Sequence, residues 1–178
     1  LFSDDFSETE RSYEDYIDVD SFIDFFLLTE LANNVDGYRI STFLHKNRAG
    51  KLNMGPIWDF NIGFGKADNC NGEKTTTWAY QFNTTCSWAA LKVPFWWEKL
   101  LEDPLYVDKL KERWNELKES HFSYSSIETK INNLVFSLEQ HNAVNRNFQI
   151  WFDTKPHGHI LFETHLEEIE YLKTWITE

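Results

Sequence analysis

Apolar residues crowd one short run near the start of the chain. In FIDFFLLTELANN, Phe22, Ile23, Phe25, Phe26, Leu27, Leu28 and Leu31 cover a broad helical face. Asp20 or Ser21 suits the cap, and Asn33-Asn34 suits the stop. A face this wide predicts a helix buried on much of its circumference. The acidic, polar residues 1–19 read as irregular or as a capped start.

The spacing then changes from helical to alternating. YRISTFLHK, residues 38–46, reads as a strand, and Asn47-Arg48-Ala49-Gly50 as a turn. KLNMGPIW, residues 51–58, reads as the return strand. Pro56 cannot donate to a ladder, so this strand lies on an edge or ends near it. Residues 61–91 form a long loop, and loops of that length are usually functional or stapled.

Helical spacing returns in PFWWEKLLED, with Pro94 near a first turn. Asp103-Pro104 breaks it. In the next helix, Leu105, Val107, Leu110, Trp114 and Leu117 make the apolar stripe. Ser125-Ser126 can cap a further helix over IETKINNLVFSLEQHNAVNRNFQIW. Asp153 to His159 reads as a loop, and Thr164 to Thr177 as a last helix. The pattern predicts a mainly α fold with one central β-hairpin. It forms one domain over residues 1–178 with no internal boundary.

Composition agrees with a sizeable core. Of 178 residues, 42% are hydrophobic, and the aromatics include 8 Trp and 15 Phe. The net charge of −12 would repel a phosphate backbone, so nucleic acid is excluded as a partner. The same charge suits a cation-binding protein. No apolar run reaches the roughly 18 residues of a membrane span, so no transmembrane segment is expected. LFSDDFSETE lacks the basic and apolar order of a secretion signal, and the chain reads as a piece of a longer protein.

Cys70 and Cys86 enclose a loop rich in Asn, Thr and Gly. Joining them would contribute about 3 kcal/mol by restricting the unfolded chain, and would imply an oxidising compartment. Two unpaired thiols in a reducing one are the alternative. A zinc site needs more ligands at closer spacing.

An acid stands at each end of the predicted hairpin. Asp36 lies in NNVDGY at its entry, and Asp59 follows Trp58 at its exit. Paired strands lie about 4.8 Å apart, so the two acids should come close. Two carboxylates held together repel unless a cation or a proton sits between them. Oxygen ligands suit Mg²⁺, Mn²⁺ or Ca²⁺. Both acids are also ordinary turn residues, and that reading stays open.

Protein-kinase-like enzymes use a comparable layout. A catalytic Asp precedes a polar metal ligand by five residues, and a metal-binding Asp-Phe-Gly follows. Here Ser41 lies five residues after Asp36, and Asp59-Phe60 is followed by Asn61 in place of Gly. Ser41 is a weaker ligand than Asn, and Asn33 or Asn34 could substitute for it.

IDVDSFIDFFLLTELANNVDGYRISTFLHKNRAGKLNMGPIWDFNIGFG closely resembles the CotH kinase family. CNGEKTTTWAYQFNTTC and VPFWWEKLLEDPLYVDKLKERWNELKE resemble members from Bacteroidetes-type bacteria. The resemblance covers roughly residues 14 to 120 and is most specific at NVDGYR and MGPIWDFNIGFG. It implies the C-terminal lobe of a protein-kinase-like fold in a secreted or surface bacterial protein. Asp36 would be the catalytic residue and Asp59 the Mg²⁺ ligand, with Asn61 and Ser41 as further ligands. ATP would be the donor and a protein hydroxyl the acceptor. Residues 1–19 offer neither a phosphate-covering loop nor a strand lysine, and Lys46 and Lys51 are hairpin lysines. This chain alone is therefore expected to be inactive. A non-catalytic module binding protein or glycan, or a calcium-stabilised structural domain, are the rival readings.

Other features carry blander readings. Trp58, Phe60 and Phe64 read as core, and so does Phe95-Trp96-Trp97. His157 and His159 read as a loop pair. Asp18, Asp20 and Asp24 suit capping and solvation, ADNCNGE falls short of a calcium loop, and Asn83-Thr84-Thr85 is a formal glycosylation sequon.

Overall fold

The computed structural model describes residues 12–151 and 160–178. After a short 3-10 turn at Ser12–Asp15, α1 runs over Val19–Leu31 and forms the centre of the molecule. Its N-cap is Asp18, which accepts from the Ser21 N–H at 2.9 Å, and not Asp20 or Ser21. The helix buries Phe22, Ile23, Phe25, Phe26 and Leu27, as the broad apolar face requires. Phe22, Phe25, Phe26 and Tyr38 surround the Trp97 indole with ring centroids 4.8 to 6.0 Å apart. Tilted and stacked contacts at this range add to the large apolar area these rings bury.

The hairpin is real but shorter than the alternation predicts. Strands β1 (Leu44–Lys46) and β2 (Leu52–Met54) pair antiparallel, with Leu44 opposite Met54 and Lys46 opposite Leu52. Residues 38–43 are not strand. The Asp36 carbonyl accepts from the N–H groups of Arg39, Ile40 and Ser41 at 3.2, 3.0 and 2.9 Å. Those bonds wind the segment into turns and remove its donors from any ladder. On its other side β2 meets Ile17 in a parallel bridge, and the Ser21 hydroxyl accepts from the Met54 N–H at 3.2 Å. The hairpin is thereby docked on the start of α1.

The loop after the hairpin carries a 3-10 turn at Ala79–Gln81 and one helical turn, α2, at Phe82–Thr85. Cys70 and Cys86 are joined, with Cα atoms 5.6 Å apart. Then come α3 (Trp96–Glu102) and α4 (Pro104–Lys118). Asp103 caps α4 through the Leu105 N–H, and its carboxylate accepts from the Tyr13 hydroxyl at 2.5 Å. With α4 starting at Pro104, Tyr106 faces the core and Leu105 faces solvent, against the predicted stripe. The long helix expected over residues 127–151 is two, α5 (Tyr124–Gln140) and α6 (Ala143–Trp151). Asn142 separates them in the left-handed region at φ 51°. The last helix, α7 (His165–Thr177), starts with a capping box between Thr164 and Glu167. The predicted loop at 153–159 lies outside the described residues. The fold is mainly α with one two-stranded hairpin, as the pattern implied.

Candidate functional site

The site is built where α1 ends. The Asn33 backbone turns left-handed at φ 41°, and the Asn34 N–H returns to the Thr29 carbonyl at 3.1 Å. Asn34 is 0% exposed. Its side-chain oxygen accepts from the Asp36 N–H at 3.2 Å, and its amide donates to the Asp59 carbonyl at 3.3 Å. One buried amide therefore ties both hairpin flanks together. The link runs through side chain and backbone, not through a strand ladder reaching out to the two acids.

The two carboxylates are held differently. Asp36 is half-buried, and one of its oxygens pairs with the Arg39 guanidinium at 2.5 Å. Arg39 is fixed in turn by the Val35 carbonyl at 3.1 Å and by the Phe82 ring, 4.0 Å below it. The other Asp36 oxygen makes no hydrogen bond among the described residues. Asp59 is exposed, with its backbone left-handed at φ 57°. An L-residue there costs about 1–2 kcal/mol, least for Asp and Asn. Its carboxylate has no ion-pair or hydrogen-bond partner among the described residues. The arrangement presents one oriented and one unengaged carboxylate from a rigid base.

Asn61 lies exposed two residues beyond Asp59. Ser41 is 3% exposed, and its N–H donates to the Asp36 carbonyl. Asn33 serves the stapled loop instead. Its amide faces the carbonyls of Asn71, Gly72 and Lys74 and the Thr77 hydroxyl at 2.9 to 3.3 Å. The glycine run after Asp59 packs tightly on α1. The Phe64 N–H donates to the Ala32 carbonyl at 2.5 Å, and a Cβ on Gly63 would stand 3.3 Å from Ala32.

Some supporting residues escape a sequence reading. Glu30 accepts from the Tyr38 hydroxyl at 2.7 Å and from the Ala79 and Tyr80 N–H groups at 2.8 and 2.9 Å. Burial pushes its carboxyl up to about 7, against the pull of those three bonds. The one signal was a lone acid in the second half of an otherwise apolar helix. From α7, the Tyr171 hydroxyl donates to the Gly65 carbonyl at 2.7 Å, and the Trp175 indole to the Glu73 carbonyl at 3.1 Å. Lys66 pairs with Glu168. The C-terminal helix thus braces the glycine loop.

Trp58 is not core. It is 57% exposed and meets Phe43 edge-on at 6.1 Å on the outside of the hairpin. In Phe95-Trp96-Trp97 only Trp97 is fully buried, at 1%. Asp24 pairs with Arg113 at 2.7 Å. The Asn83 amide both donates to and accepts from the Val93 backbone at 2.9 Å, so the sequon asparagine is spent on structure. His157 and His159 lie outside the described residues. Among the described residues, no group of three or more His, Cys, Asp or Glu could hold a metal, and no helix is long and apolar enough to cross a membrane.

The family model described as CotH kinase protein matches residues 2–178, and the chain belongs to the CotH kinase family. Neither a curated protein nor a solved structure matches it. Family membership supports kinase-like, nucleotide-dependent chemistry, with a protein as the substrate the family suggests. The disulfide is consistent with an extracytoplasmic setting.

Proposed function

We infer that this chain is the acid-bearing lobe of a secreted or surface kinase that moves the γ-phosphoryl group of ATP to a protein hydroxyl. The observation that carries the reading is the Asn34 amide bound to the backbones of both Asp36 and Asp59. It fixes two acids of unequal environment on one base.

The donor set fits Mg²⁺. That ion is usually bound by one or two carboxylates, with phosphates and water completing its shell, and needs no cage of protein ligands. Asp59 would hold it, with exposed Asn61 beside it; buried Ser41 supports the Asp36 turn. When bound, the ion neutralises charge on the phosphates. Asp36, oriented by Arg39, uses its free oxygen to accept the hydroxyl proton. The acceptor oxygen then bonds to the γ-phosphorus as the bridging P–O bond breaks and ADP leaves. The phosphate-covering loop and its lysine are assigned to a preceding lobe, because Lys46 and Lys51 border the hairpin turn in exposed surroundings.

The test is phosphate transfer by a chain containing both lobes. Asp36→Ala and Asp59→Ala should each abolish it. Activity surviving either change sinks the site assignment. The exposed Trp58, Phe43 and Ile57 favour a second reading, a module that binds protein or glycan. Binding lost in Trp58→Ala but kept in Asp36→Ala would support it.

A further inference from the structure

Among the described residues the Asp36 carboxylate has one side-chain partner, Arg39, so its aim depends on what holds Arg39. The Arg39 side chain is 12% exposed, which takes its guanidinium largely out of water. Three contacts fix it. Nε donates to the Val35 carbonyl at 3.1 Å, Nη2 donates to Asp36, and the guanidinium carbon stands 4.0 Å from the centroid of the Phe82 ring. The Val35 bond fixes where the fork sits but leaves it able to swing about that bond. A ring beneath the guanidinium opposes the swing, because a cation is drawn to the π-face and a planar one stacks on it.

The ring is itself held. Phe82 is 2% exposed, and the helical turn α2 that carries it is clamped on both sides. Just before it, the Ala79 and Tyr80 N–H groups are bound by Glu30. Within it, the Asn83 amide exchanges two hydrogen bonds with the Val93 backbone. At its end, the Cys86 N–H donates to the Phe82 carbonyl at 2.7 Å, and Cys86 is bonded to Cys70. The stapled loop thus reaches the acid through one ring and one guanidinium. Apolar burial alone would be served nearly as well by leucine, which has no quadrupole to offer the cation.

We propose that Phe82 and Arg39 are positioning residues, through which the stapled loop sets the aim of the Asp36 carboxylate. The inference rests on the reading of Asp36 as the proton acceptor in phosphoryl transfer. No bond forms or breaks at Phe82 or Arg39. Asp36 takes the hydroxyl proton on its unengaged oxygen, and that oxygen is aimed only while its neighbour is held by Arg39. The loop thereby governs the site without touching the nucleotide or the acceptor.

The experiment has two arms. In the first, the two-lobed chain transfers phosphate from γ-labelled ATP to dephosphorylated casein. Each variant is assayed where urea unfolding shows it fully folded. Phe82→Leu should lower kcat roughly tenfold and leave KM for ATP unchanged. Trifluorophenylalanine in place of Phe82 keeps the shape but drains the ring face of negative charge, and its kcat should also fall. Arg39→Lys keeps the charge but loses the planar fork, and should fall at least as far as Phe82→Leu. Wild-type kcat in Phe82→Leu or in the fluorinated protein, with Asp36→Ala inactive, would overturn the proposal. Transfer persisting in Asp36→Ala would instead sink the kinase reading beneath it.

The second arm needs no substrate and uses this chain alone. The Arg39 Nε–H resonance should be displaced by the ring current of Phe82 and protected from exchange with water. In Phe82→Leu it should return to the position of an ordinary arginine and exchange faster. A resonance that Phe82→Leu leaves unmoved would overturn the proposal, because the ring would then not be what holds Arg39.

Discussion

Asn34 donates its side-chain N–H to the main-chain carbonyl of Asp59 at 3.3 Å, from a position 25 residues earlier in the chain. The same amide accepts from the Asp36 N–H. Asn34→Ala would strand two backbone groups in a buried place, at about 1–3 kcal/mol for each. Asn34→Asp keeps the acceptor for Asp36 but sets a carboxylate against a carbonyl. Both should lower the urea midpoint, and both should reduce phosphate transfer by the two-lobed protein. An unchanged midpoint in Asn34→Ala would remove this amide from the account of the site.

The Asp59 backbone makes a different prediction. At φ 57° glycine is at ease and a β-branched residue is not. Asp59→Gly should leave stability unchanged or raise it by about 1 kcal/mol, while transfer is lost. Asp59→Val should destabilise by more than that. A residue that costs stability and is needed for activity is the pattern of strain held at a functional position. Thermal melts of the two variants decide it.

Gly37 answers to packing, not to φ. A Cβ there would stand 2.6 Å from the Thr29 Cγ2 and 3.2 Å from the Asn34 carbonyl. Gly37→Ala should cost about 1–3 kcal/mol by forcing the Asp36 turn away from α1. Thr29→Ser removes the offending methyl group. The double variant should therefore recover part of the loss, and additive losses would point to the Asn34 carbonyl as the real obstacle.

Stability should also depend on pH through Glu30. Burial raises its folded value from 4.5 to about 7, so the folded chain holds that proton more tightly than the unfolded chain does. The sign follows. This contribution is full below 4.5 and is lost as pH rises towards 7. Melting temperatures of wild type and Glu30→Gln, compared across that window, should show the extra downward slope only in wild type.

The hairpin, the central helix and the staple were legible because each rests on local chemistry. Asn47 to Gly50 signals a turn, the apolar run signals α1, and a loop poor in aliphatics between Cys70 and Cys86 signals a link. The extent of β1 was not legible. Alternation over 38–43 is overridden by three N–H groups converging on the Asp36 carbonyl. The break at Asn142 was hidden by apolar spacing that runs on past it. Trp58 misled because its identity suggests burial, whereas the hairpin presents it outward against Phe43. The proximity of the two acids was expected from strand pairing. Their backbones are joined instead through Asn34. Glu30 was beyond reach, since its donors at Ala79 and Tyr80 come from a distant loop.

Two devices hold that loop, and they should not act independently. The Cys70–Cys86 bond closes it covalently, and the Asn33 amide gathers its turn through three carbonyls and the Thr77 hydroxyl. Reducing the bond should cost about 3 kcal/mol if the loop is free to expand in the unfolded chain. Asn33→Ala should cost about 1–3 kcal/mol through unmet buried carbonyls. Once the loop has been released by reduction, Asn33 has less fixed structure to grip, and its substitution should cost less. The combined loss is then smaller than the sum of the separate ones, measured by urea unfolding with and without reductant. The two changes also test what the loop supports. Glu30 reads its position through Ala79 and Tyr80, so a loosened loop should move Glu30 titration as well. Strict additivity with no shift in that titration would show that the staple and Asn33 stabilise separate parts of the chain.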